Sequence, residues 1–193
     1  MTIYINERPT AAQLKNEIKH LKAKKEVQKS VKAAIGILMV SAATAVLICM
    51  LWLPIYVIQQ GSMEPTLWDG DYVIFMSGRE IRRGDIIAFH YNNQTLIKRV
   101  IATGGEEVNI TSDGIIIIDG EELEEPYVNR RYLDENSIKL PYVVPDEKYF
   151  VVGDNRLLSA DSRMEVIGAV AQEQISGKAI LRVWPFSRIG LLA

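Results

Sequence analysis

At 193 residues, 48% hydrophobic and 24% charged, the chain has material for one modest folded domain and an additional segment, not for two full domains. A formal net charge of -2 excludes the basic excess of a nucleic-acid-binding protein and the acidic bias of a disordered one. The single cysteine, Cys49, can close no internal disulfide, and His20 and His90 lie far apart, so no metal site is expected.

In chain order, residues 1–32 read as a short cationic helix. Thr10 with Gln13 forms a capping-box pattern, and Leu14, Ile18 and Leu21 follow at helical spacing. From Ala33 to Met63 no acidic, basic or histidine residue occurs, and Ala33 to Leu53 alone gives about 30 Å of helix, enough to cross a bilayer. A buried core helix and a cleavable leader are the other readings of such a run. The length and the polar segment before it favour a retained anchor over 33–54. Lys15, Lys19, Lys22, Lys24, Lys25, Lys29 and Lys32 precede the span and no basic residue follows it before Met63, which predicts a cytoplasmic N-terminus.

Residues 55–193 change to short β-rich runs: Tyr72 to Phe75, Asp85 to Phe89, Leu96 to Ile101, Val108 to Ile110, Ile115 to Ile118, Tyr149 to Val152 and Ala179 to Trp184. Gly70-Asp71, Gly84-Asp85, Asp113-Gly114, Asp119-Gly120 and Gly153-Asp154-Asn155 punctuate them. The fold class expected is mainly β, a barrel-like or sandwich domain after one transmembrane helix.

Three segments carry candidate chemistry. Gly61-Ser62-Met63-Glu64-Pro65-Thr66-Leu67 puts a serine in a Gly/Pro turn where its hydroxyl is presented; the same pattern also makes an ordinary turn. A serine nucleophile needs a base, and His90, beside Tyr91-Asn92-Asn93, reads as a surface residue at a hairpin. On the run Leu96-Ile97-Lys98-Arg99-Val100-Ile101, strand alternation sends Lys98 and Arg99 to opposite faces, each among apolar neighbours. Arginine stays protonated, so only Lys98 could act as a base, each unit of lowered pKa disfavouring its ammonium by about 1.4 kcal/mol. A lysine reaching solvent from a strand edge is the competing reading. The third segment, Gly153 to Arg163, implies a mutually satisfied polar network behind a buried strand. Asp154, Asp161 and Arg163 read as structural, with a surface ion pair such as Asp161 with Arg163, while Ser159 could orient the lysine amine.

Together these segments resemble type I signal peptidases, the Ser/Lys membrane proteases. Ser62-Met63-Glu64-Pro65-Thr66-Leu67 is similar to the nucleophile motif, and Gly70-Asp71-Tyr72-Val73 to the strand after it. Arg83-Gly84-Asp85-Ile86 with Ile97-Lys98-Arg99-Val100 is similar to the base motif, and Gly153-Asp154-Asn155-Arg156, Ser159, Asp161-Ser162-Arg163 and Gly168 to the last box. The resemblance implies an all-β protease without metal or cofactor, in which Ser62 attacks, Lys98 takes its proton, Ser159 positions Lys98 and the Ser62 N–H donates to the oxyanion. Gln60 stands where some members place a serine as second oxyanion donor. Ile58, Met63, Leu67, Leu96 and Ile97 match positions lining pockets for small side chains, and core packing is their alternative role.

The expected substrates are exported precursors with an A-x-A site just past an apolar segment. Ser62 follows Leu53 by nine residues, which holds it within about 30 Å of the end of the span. Expected partners are those signal peptides, the lipid bilayer, against which Trp184, Pro185 and Phe186 could rest, and the translocation machinery; nucleic acid is not expected. The expected location is a single-pass position in a bacterial membrane of Gram-positive type, with the catalytic domain outside. A self-cleaving Ser/Lys regulator and a non-catalytic tethered scaffold of the export machinery are the competing classes. The first lacks its DNA-binding module, and the second has no need of Ser62, Lys98 and Ser159 together.

Overall fold

The computed structural model describes residues 11–132 and 138–192, so Thr10 of the expected capping box lies outside the described residues. The chain divides after Met50 into two compact units. The first holds all but the last two residues of α1 (Ala11–Trp52), one helix that runs unbroken through Lys32, where the sequence changes from polar to apolar. Ala, Leu, Lys, Glu and Gln favour helix over its first half. In the apolar half the Ser41 and Thr44 hydroxyls donate to the carbonyls of Leu38 and Val40 at 2.9 Å, so neither is left unpaired along an apolar surface. The helix is long and apolar enough to cross a membrane.

The second unit is antiparallel β throughout. Its strands are β1 (Ile55–Val57), β2 (Tyr72–Met76), β3 (Ile86–Tyr91), β4 (Gln94–Thr103), β5 (Glu107–Ile110), β6 (Ile116–Ile118), β7 (Glu121–Glu122), β8 (Tyr142–Val143), β9 (Lys148–Val152), β10 (Val170–Ala171), β11 (Ile175–Trp184) and β12 (Gly190–Leu191). The larger sheet has the order β1-β2-β11-β3-β4-β9-β10, with β12 on β11, and a smaller sheet has the order β7-β6-β5-β8. The larger sheet is open, with β1 and β10 as its ends. The expected mainly β domain after a single long helix is what is observed.

The run Ile86-Ile87-Ala88-Phe89 is apolar at every position because β3 is covered on both faces. Ile86 and Ala88 pack with Ile58, Met63, Leu67 and Phe75, whereas Ile87 and Phe89 pack with Val100, Val151 and Val170. Burying each of these larger side chains contributes about 1.5–3 kcal/mol. The Tyr91↔Gln94 pair closes β3 and β4 through Asn92 and Asn93, both at positive φ, the turn geometry that suits two-residue hairpins. The β4–β3 register extends from Gln94 to Arg99, but pairing with β9 begins only at Arg99↔Val152, so residues 94–98 present a free edge.

Candidate active site

Lys98 and Ser62 meet. The Lys98 Nζ lies 2.8 Å from the Ser62 Oγ, and the lysine is only 3% exposed. Burial pushes the amine down to about 8; Asp161 pulls upward, Arg163 pushes further down and Asp154 pulls upward more weakly. Removal of water from around the ammonium outweighs the nearby carboxylates, which leaves an amine that exchanges its proton near neutral pH.

Two sets of bonds hold this pair. Arg99, the next residue on β4, faces the other way and makes a bidentate ion pair with Asp154, with Nε–Oδ1 at 2.8 Å and Nη2–Oδ2 at 2.7 Å. Both groups are buried, and the guanidinium lies 4.0 Å over the Tyr127 ring. The pair fixes the strand's facing and therefore the side on which Lys98 emerges. Removing either partner would strand a buried charge at a cost of about 3–5 kcal/mol. The turn that carries Ser62 is tied to the same carboxylate, since the Thr66 hydroxyl donates to Asp154 Oδ2 at 2.5 Å. Asn155 completes the hold, its N–H donating to the Ser62 carbonyl at 3.1 Å and its Nδ2 to the Gly61 carbonyl at 3.2 Å. Gly61 is at φ 60, a left-handed conformation that favours glycine.

The expectation of a surface ion pair between Asp161 and Arg163 is corrected by the structure: both residues are buried. Asp161 accepts the Gly153 N–H at 3.0 Å and the Arg163 guanidinium at 2.8 and 2.9 Å, and Arg163 donates onward to the carbonyls of Tyr132 and Arg156. A buried carboxylate with this many donors braces the loop behind Ser62. The Ser159 hydroxyl is buried without a hydrogen-bond partner among the described residues and does not bond Lys98. It is instead pressed against Gly153, whose added Cβ would fall 2.2 Å from Ser159 Oγ and 2.6 Å from the Ser62 carbonyl. His90 is exposed, bonded to Thr95 and Ser176.

A groove of about 530 Å³ opens beside the pair, walled by β1 and by Gln94 to Lys98. Of the predicted lining residues, Ile58, Met63, Leu96 and Ile97 line it and Leu67 does not, although Ile58, Met63 and Leu67 share one core cluster with Val73 and Phe75. Sequence reading misses the β1 wall, Ile55 to Val57, because three apolar residues directly after an apolar span carry no separate signal. Gln60, at φ 70 with its N–H bonded to Asp69, also lines the groove.

The family model for signal peptidases of class S26 matches residues 28–184. Signal peptidase IB of Staphylococcus aureus is 34% identical over 152 residues, 68% of this chain and 78% of that protein. Signal peptidase I of Bacillus amyloliquefaciens is 34% identical over 163 residues, 79% of this chain and 87% of that protein. A crystal structure of a signal peptidase I from Enterococcus faecalis aligns at a TM-score of 0.44 with 35% identity, covering 52% of this chain and 97% of that one.

Proposed function

This chain belongs to the signal peptidase family, peptidase S26, a serine endopeptidase that removes signal peptides from precursors, and we propose that Ser62 and Lys98 are its catalytic dyad. The observation that carries the proposal is a buried amine, its pKa held at about 8, 2.8 Å from a serine hydroxyl at the end of an open groove. The neutral Lys98 accepts the Ser62 proton as Oγ bonds to the scissile carbonyl carbon. The resulting ammonium returns that proton to the leaving amine as the C–N bond breaks. Water then attacks the acyl-serine, with Lys98 taking its proton and passing it back to Ser62 Oγ. The Ser62 N–H donates to the oxyanion. Asp154, Asp161 and Arg163 hold the frame, and Ser159 packs beside it.

The groove suits an extended peptide, because among the described residues β1 ends its sheet and residues 94–98 have no second partner strand, which leaves main-chain groups free on both walls. Ile58 and Met63, fully packed underneath, make a shallow floor that admits small side chains of the A-x-A kind. Residues 33–54 anchor the chain and the preceding lysines keep the N-terminus in the cytoplasm, with the β domain outside. Exposed Trp184 and Phe186, stacked edge to face at 4.8 Å, rest against lipid.

Because the neutral amine is the active form, activity rises with pH. With wild-type protein and a precursor peptide, kcat/KM should increase about tenfold per pH unit and level off above an inflection near 8. A profile flat from pH 6 to 9 would refute Lys98 as base.

A further inference from the structure

The groove holds the chain on one side of the scissile bond, yet an endopeptidase must also accommodate the residues on the other side. A second concavity of about 410 Å³ is walled by Glu64, Pro65 and Trp68 and by Asn155, Leu157 and Leu158, with the exposed Arg130 also lining it. It shares no lining residue with the groove. Glu64 follows Ser62 by two residues, so no more than about 7 Å of chain separates the nucleophile from this wall. Asn155, which bonds the Ser62 and Gly61 carbonyls, joins the two sites.

The chemistry of the second wall is unusual for a surface loop. Most of the loop's polar side chains turn inward, Asn155 excepted: Arg156 pairs with Glu125 at a buried site, and Asp161, Ser162 and Arg163 are buried. Its apolar members turn outward, with Leu157 50% and Leu158 65% exposed, facing Trp68 at 45% across the concavity. The inward network fixes the loop, so the two leucines are presented by a rigid support.

We propose that this concavity receives the first residues of the mature chain after the scissile bond, and that Trp68, Leu157 and Leu158 favour an apolar side chain there. The inference rests on the Ser62/Lys98 reading and adds selection on the leaving-group side. Continuity with the nucleophile turn argues for substrate as the occupant.

The test uses the full-length protein in detergent and precursor peptides identical through the cleavage site, carrying Leu or the neutral Asn at the first two positions beyond it, so that the charge of Arg130 does not enter the comparison. Each kcat/KM is divided by the same enzyme's value on a methyl ester that ends at the scissile carbonyl, so a folding defect cancels. Wild type should prefer the Leu peptide by about tenfold or more, the scale of one apolar contact in a pocket. Leu157→Ser with Leu158→Ser should bring the ratio close to one, and Trp68→Ala, on the opposite wall, should do the same. A ratio unchanged in both variants overturns the proposal, and loss of vesicle binding with an unchanged ratio overturns it in favour of a lipid contact. Equal cleavage by Ser62→Ala would strike the dyad instead, and the Leu/Asn ratio would still decide the concavity.

Discussion

Ser62→Ala and Lys98→Met are each expected to lower kcat/KM for an A-x-A precursor by about 10⁴-fold or more, and the double variant to lose no more than either single one. The non-additivity comes from the 2.8 Å contact: an amine without the hydroxyl has no proton to take, and a hydroxyl without the amine has no acceptor. Arginine at position 98 would not rescue, because a guanidinium stays charged even when buried. Lys98→Met replaces a desolvated amine by an apolar chain of similar length, so loss of activity with retained thermal stability separates chemistry from folding. Losses that multiply in the double variant, or processing by either single variant at more than a few per cent of wild type, would contradict the dyad. The measurement is steady-state cleavage of a purified precursor.

Gly153→Ala should lower kcat/KM by about 100-fold, mainly through kcat, although no polar group is removed. A methyl group placed 2.2 Å from Ser159 Oγ and 2.6 Å from the Ser62 carbonyl cannot be accommodated without moving one of them. The Ser62 carbonyl is held by the Asn155 N–H, and the backbone of Gly153 is itself pinned by its N–H to Asp161. Displacement therefore passes to the nucleophile turn, with an overpacking cost of about 1–3 kcal/mol. Replacing Ser159 with glycine in the same chain removes the closer clash and should recover part of the lost stability. Wild-type kcat in Gly153→Ala would show that the turn is free to adjust.

Much of this arrangement is legible in the sequence alone. The long helix and the central strands rest on local signals, an uncharged span and apolar runs broken by Gly/Asp turns; proton chemistry separates Lys98 from Arg99, but the pairing of Ser62 with Lys98 is implied only by the resemblance to type I signal peptidases. The features that escape depend on partners distant in sequence. Tyr142–Val143 and Ile55–Val57 are strands because Glu107 and Val108, and Tyr72 to Ile74, offer edges to them; neither run is long enough to show alternation. Asp154 is 55 residues from Arg99, and no spacing rule links them. The Asp161–Arg163 pair is visible as a pair but not as buried, because its depth is set by the Gly153 N–H and by carbonyls of two other segments. Met63 and Leu67 sit in the same turn and the same core cluster, but only Met63 also lines the groove, a difference that the shared motif cannot express.

The most direct measurement is the titration of Lys98 itself. In full-length protein carrying ¹³Cε-lysine, solubilised in micelles, the signal missing from Lys98→Met identifies the residue, and its shift is followed with pH. A midpoint near 8 is expected; a midpoint at the ordinary lysine value of about 10.4 would mean that the amine is charged at working pH and cannot take the serine proton.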